Sequence, residues 1–318
     1  MNWKQRPEGG GRFALRLIIG IALACGRGVG RLLLLPITGY FLLVRGPERR
    51  ASRDYLGRVL GRPARLFEVA RHLHCFAATL LDRVFLLSEC FRRFDVRVHG
   101  VDAVHAAMDQ GRGVLLLGSH LGSFDALRVL SQLRPDVEVA VVLDKAQNPV
   151  ITELLAALNP KLAASIIDAG QDGTAIVLAI KEAAERGALI GLLADRVRPG
   201  EAAIPCQFLG ATAAFPVAPM LIASALKIPV ALCFGLYRGG RRYDLHFEMF
   251  AEEVQVPRAA RATALAALVE RFAGRLEHHA RLAPYNWFNF YDFWQDPAPA
   301  APSPAAARAD AGELRVGH

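Results

Sequence analysis

Cysteine is scarce in this chain: five in 318 residues, Cys25, Cys75, Cys90, Cys206 and Cys233, an odd number without a C-x-x-C pair. That excludes a disulfide framework and a C-x-x-C zinc site, and it fits a reducing compartment. Charge is sparse as well. Asp, Glu, Lys and Arg make up 21% of residues against 53% hydrophobic, which excludes disorder over most of the length. No apolar run reaches the roughly 20 residues of a comfortable membrane span. The two longest, 17–25 and 32–44, are separated by Arg27 and Arg31. There is no internal repeat. The glycine-rich stretch 26–31 follows no strand, so it does not indicate nucleotide binding. His72 and His74 diverge on a helix, and His278 and His279 sit at an exposed-looking helix end. The sequence therefore calls for no metal and no cofactor.

What the chain does have is an excess of positive charge, and its placement is informative. The net charge is +8 and the mean hydropathy +0.25. Residues 1–100 hold 18 of the 38 Lys and Arg and 7 of the 30 Asp and Glu, a net of +11, which leaves −3 for the remainder. Charge coincident with short apolar runs suits an interfacial or re-entrant segment beside anionic lipid, and it argues against nucleic acid as partner. The alternative is a buried helical hairpin with a solvated basic face. A single tilted span over 17–44 is disfavoured because it would immerse two arginines. The first 25 residues loosely resemble a signal ending in a lipidated Cys25. However, Ala22 stands where Leu is expected and the apolar pattern resumes after Arg31, so no cleavage is expected. Basic flanks favour a cytoplasmic placement.

Residues 49–94 carry apolar positions at helical spacing. After Gly100, short apolar runs (114–117, 137–143, 165–168, 188–194, 204–208, 230–234, 243–247) alternate with helical stretches (101–110, 123–133, 150–158, 171–186, 216–226, 258–281). This predicts an α/β fold with a central mixed sheet flanked by helices. The expected organisation is a basic, apolar helical membrane-associated region (1–98), an α/β domain (99–296) and a disordered Pro/Ala-rich tail (297–318).

The strongest chemical signal is the stretch 113–125, GVLLLGSHLGSFD. A buried strand runs into a glycine turn carrying His120 and then into a helix that starts near Ser123. Open α/β sheets place ligand sites at such strand ends. Asp125, in the first helical turn, is within reach of His120, and an Asp–His pair makes a general base. Gly118 and Gly122 permit a tight turn and close approach of substrate, and amides at the helix start are suited to an oxyanion. The same spacing also suits chance and a plain helix-dipole role for Asp125. The glycines mimic a nucleophile elbow with His at its centre, so a hydrolase using Ser119 or Ser123 is the competing enzyme and an inactive surface scaffold the competing non-enzyme. Asp195 and Arg196 also end an apolar run, as a site pair or a structural ion pair. The segment 285–294 packs seven aromatics into ten residues, with core sealing its default reading and a membrane-interface belt or acyl-chain wall the others.

Taken together, these residues resemble the bacterial lipid A biosynthesis (lauroyl/myristoyl) acyltransferase branch of the glycerolipid acyltransferase superfamily. His120-Leu-Gly-Ser-Phe-Asp125 resembles its H-x4-D box. Gly191–Arg196 resembles its second block, Phe208 to Pro219 its F-x-G and proline block, and the basic apolar first third its membrane-binding region. The resemblance implies transfer of a fatty acyl group from a thioester, on acyl carrier protein or CoA, to a hydroxyl of a lipid acceptor at the cytoplasmic face of a bacterial inner membrane. By the same resemblance His120 deprotonates the acceptor and Asp125 orients it. Asp195 and Arg196 shape the acceptor side, and Phe208, Gly210 and Pro216, with Gly122 and Ser123 in the turn, line the substrate cleft. Two departures stand out: 285–294 carries Asp292 and no arginine, and Ala218 replaces a usual glycine. A phosphorylated saccharolipid acceptor would want arginines there, which points to another lipid hydroxyl.

Overall fold

The computed structural model describes residues 20–87, 93–124, 134, 136–198 and 200–294. Three helices lead: α1 (Arg27–Val44), α2 (Gly46–Leu60) and α3 (Leu66–Leu87). Pro47 in the first turn starts α2, and Gly61, left-handed at φ 66°, ends it. The spacing predicted helix across 49–94, and the break at 61–65 follows from that glycine and Pro63.

Helix α1 packs along α3, where Gly30 lets the Leu81 side chain come close. Its other side is bare: Leu32, Leu35, Leu43 and Val44 are all more than 60% exposed. By length and composition α1 is apolar enough to cross a membrane. The arginines that broke the apolar run do not lie on the bare side. Arg27 donates to both carboxylate oxygens of Asp82 (2.7 and 2.9 Å), and Arg31 donates to the Tyr237 hydroxyl (2.7 Å) and to Asp82 (3.4 Å). Asp82 is fully buried and also accepts from the Tyr243 hydroxyl at 2.9 Å.

The α/β expectation holds. Seven strands form one mixed sheet in the order β1 (Asp95–His99), β9 (Arg242–Ala251), β8 (Val230–Gly239), β2 (Val114–Gly118), β5 (Leu189–Leu193), β3 (Val139–Leu143), β4 (Ile166–Asp168). Neighbours are parallel except β8 and β9, which form an antiparallel hairpin. Strands β6 (Ala203–Phe208) and β7 (Ala211–Pro216) pair separately. Central β2 is buried on both faces, as a parallel strand covered by helices must be. Leu115 and Leu117 join the core that contains Phe234, Phe272 and Trp287; Val114 and Leu116 join the one that contains Leu81, Phe85 and Tyr243. The remaining helices are α4 (Val101–Met108), α5 (Pro149–Leu158), α6 (Pro160–Ala164), α7 (Gly173–Glu185), α8 (Ala218–Leu226) and α9 (Arg261–Leu282), the last preceded by a 3-10 turn (Arg258–Ala260).

All seven strands expected from the apolar runs are present. Strands β1 and β7 were not anticipated: β1 is an alternately exposed edge strand with Arg97 in its middle, and β7 is alanine-rich. The sheet thus takes its first strand from residues just before 99. Most of the helix expected over 123–133, the tail 297–318, Cys90 and Asp125 lie outside the described residues. Cys25, Cys75, Cys206 and Cys233 are free thiols.

Candidate active site

Strands β2 and β5 are parallel neighbours with Gly118 opposite Leu193. Two residues beyond that pair on each strand stand His120 and Asp195, so the strand register brings them together at the carboxyl edge of the sheet. The His120 Nδ1–Asp195 Oδ1 distance is 2.7 Å, and the His120 amide donates to Asp195 Oδ2 at 3.1 Å.

The turn that presents His120 is fixed by close backbone contact. Gly122, at φ 73°, lies so near the Gly235 carbonyl that a Cβ would stand 1.8 Å from its oxygen. The Phe124 ring lies over β2 and β5 where Gly118 and Gly191 carry no side chain; a Cβ at either would come within 2.7 Å of the ring. The Gly122 amide donates to Asn286 O (2.7 Å) and the Ser123 amide to Gly235 O (2.8 Å). These two amides therefore hold the turn and are not free for an oxyanion, while the helix-start amides from residue 125 onward lie outside the described residues.

Asp195 is fully buried, and a buried carboxylate needs several donors to stay ionised. It has them. Besides the two from His120, Trp287 Nε1 (3.1 Å) and Asn289 Nδ2 (3.0 Å) donate to Oδ2. Burial alone would raise its pKa, but the charge and hydrogen bonds of His120, with Arg196 beside it, outweigh burial and hold it well below the usual carboxylate range. For His120, burial and then the Arg196 charge lower the pKa, against the opposing pull of Asp195. At neutral pH the pair is thus carboxylate and neutral imidazole. A carboxylate only accepts, so the imidazole proton sits on Nδ1 and Nε2 keeps its lone pair. The His120 side chain is 27% exposed, while Asp195 is sealed.

Arg196 donates through Nε to Asn289 Oδ1 (2.6 Å) and through Nη2 to Phe288 O (3.0 Å), and it lies over the Tyr291 ring. The aromatic segment is therefore both core seal and site wall. Leu121 and Trp287 form a bridge, and the Phe288 amide donates to His120 O at 2.8 Å. Asn286, Trp287 and Asn289 are the residues that sequence reasoning missed. Their only signal was asparagine recurring inside an aromatic run.

The other expected site residues are placed as follows. Phe208 is fully buried and its ring centroid lies 5.2 Å from that of Trp287, one side chain behind Asp195. Gly210, at φ 80°, forms the tip of the β6–β7 hairpin, and Pro216 ends β7; neither joins the hydrogen bonds around His120. The Ser119 and Ser123 hydroxyls are buried without a hydrogen-bond partner among the described residues, so neither is paired with the imidazole as a serine nucleophile would be. His279, expected at an exposed helix end, is instead buried. It stacks on Phe234 and bonds Glu248 Oε1 at 2.7 Å.

No curated protein sequence matches the chain. The family model described as bacterial lipid A biosynthesis acyltransferase matches residues 83–295, a span that takes in the whole sheet, the His120 turn and the aromatic wall. The chain belongs to the bacterial lipid A biosynthesis acyltransferase family.

Proposed function

We propose that the protein transfers a fatty acyl group from an acyl thioester to a hydroxyl of a lipid or lipid-linked acceptor, with His120 as general base. The observation that carries this reading is the 2.7 Å contact between His120 Nδ1 and a sealed carboxylate at the exposed carboxyl edge of two parallel strands. The acceptor hydroxyl gives its proton to Nε2 as its oxygen attacks the thioester carbonyl. The tetrahedral intermediate then collapses, the C–S bond breaks, and the thiolate leaves with the proton held on Nε2. Asp195 keeps the imidazole in the right tautomer and stabilises the imidazolium. The role expected for Asp125 is the same, and its residue lies outside the described set.

Acyl carrier protein is the donor this reading favours, with acyl-CoA the other. Arg50, Arg53 and Arg58 line a groove with Asp54, Pro63 and Ala64; Arg58 pairs with Asp54 and lies over the Trp294 ring at 4.5 Å. Tyr55 of the same helix has its ring centroid 5.1 Å from that of Trp287. Positive charge beside the aromatic wall suits an acidic carrier. The bare face of α1 and its basic surroundings suit docking on the cytoplasmic face of a bacterial inner membrane.

The pH dependence tests the base. His120 must be neutral to act and its pKa is lowered, so kcat/KM is expected to be flat at neutral pH and to fall on acidification, with a midpoint below the ordinary histidine value of about 6.5. A rate that rises on acidification, or a limb well above that value, contradicts the assignment.

A further inference from the structure

Sequence spacing gave no metal site, but strand pairing brings three candidate ligands together on β1 and β9. In the parallel β1–β9 pair His99 stands opposite His246, and Arg97 opposite Asp244. Side chains two apart on a strand share a face, so Asp244 and His246 project beside His99. One ligand atom from each of the three lies within 4.8 Å of the others. The imidazoles are stacked, with centroids 4.7 Å apart and planes at 16°. We propose that His99, Asp244 and His246 form a binding site for one divalent transition ion of the zinc class.

Two features support it. First, His246 Nε2 is buried and has no hydrogen-bond partner among the described residues, which costs free energy that a metal bond would recover. Second, Glu248, His279 and Arg238 beside the cluster are already engaged with other partners. Arg275 donates to both Glu248 oxygens, and His279 Nε2 bonds Oε1. Arg238 engages only Asp244 Oδ2 (2.7 Å) and also bonds Leu282 O, which leaves Oδ1 for the ion.

Two imidazoles and one carboxylate select zinc, cobalt or nickel over magnesium and calcium. Ligand atoms on a tetrahedral ion with bonds of about 2.1 Å lie about 3.4 Å apart. Closing from 4.8 Å is within the reach of side-chain rotation at a sheet edge. Three protein ligands leave a fourth position open on the exposed His99 side. The ion would clamp β1, the edge strand that follows the N-terminal helices, onto β9.

The test uses the untagged full chain in detergent, stripped of metal, equilibrated with Zn2+ and desalted. Elemental analysis is expected to give about one zinc per chain, with no retention of Mg2+. Zinc should raise the melting temperature, and Co2+ should give the intense visible band of a low-symmetry site. His99→Gln, at an exposed position, and His246→Ala are expected to weaken binding at least tenfold and to lose the Co2+ band, with circular dichroism reporting their fold. His278→Ala, on neighbouring α9, should bind as the parent does. Retention below a tenth of an equivalent by the parent, or unchanged retention in folded His99→Gln, overturns the site.

Discussion

Asparagine in place of Asp195 is expected to lower kcat for acyl transfer by about 10²–10⁴-fold, with little change in KM for either substrate. The donors around the carboxylate dictate the reason. His120 N, Trp287 Nε1 and Asn289 Nδ2 all point at Oδ2. The amide oxygen of asparagine must take that place, which turns its NH2 toward His120 Nδ1. Nδ1 then has to accept, the imidazole proton moves to Nε2, and the nitrogen facing the acceptor is no longer a base. Steady-state kinetics with nitrogen NMR of the imidazole would follow both effects. Removing the negative charge also removes the interaction that raises the His120 pKa, so any residual activity should show its acid limb at lower pH than the parent. A variant within about threefold of the parent would return the orienting role to Asp125.

The second large effect is on stability. Asp82→Ala is expected to cost about 3–5 kcal/mol and to lower the melting temperature by roughly 10 °C, because it leaves buried cationic groups without their counter-ion. Asp82 accepts from Arg27, Arg31 and the Tyr243 hydroxyl, which come from α1 and β9. Its loss should free α1 from α3 and the sheet, read as protease sensitivity at the start of the chain. Removing the charge and its main partner together is less costly than removing one, so the double variant Arg27→Ala/Asp82→Ala should melt above Asp82→Ala. If the double variant is the less stable of the two, the pair is not what anchors the helix.

The alternation of short apolar runs and helical stretches made the sheet legible, because buried parallel strands are nearly all apolar. The His120 turn was legible for the same reason: a glycine turn directly after such a run marks a strand's carboxyl end. The partner that the described residues show, Asp195, was not. Spacing within one segment pointed to Asp125, whereas Asp195 reaches His120 through strand adjacency, and nothing local in sequence encodes which strands are neighbours. Asn286, Trp287 and Asn289 were hidden in an aromatic run whose simplest explanation was core sealing. His279 looked exposed because its helix is polar overall, yet Glu248 and Phe234 bury it. Strand pairing likewise joins His99 to His246 across nearly half of the chain. Arg27 and Arg31 spoke against a tilted span over 17–44, and Asp82 holds both on the protein side of α1.

The central claim is acyl transfer by His120, and product identity tests it most directly. The purified chain would be incubated with long-chain acyl carrier protein and an inner-membrane lipid extract, and lipids and protein followed by mass spectrometry. The account predicts a lipid heavier by one acyl group, no acyl adduct on the enzyme, and loss of that product by about 10²–10⁴-fold in His120→Ala. Release of free fatty acid in place of acylated lipid, an acyl adduct on Ser119 or Ser123, or undiminished product in His120→Ala would contradict it.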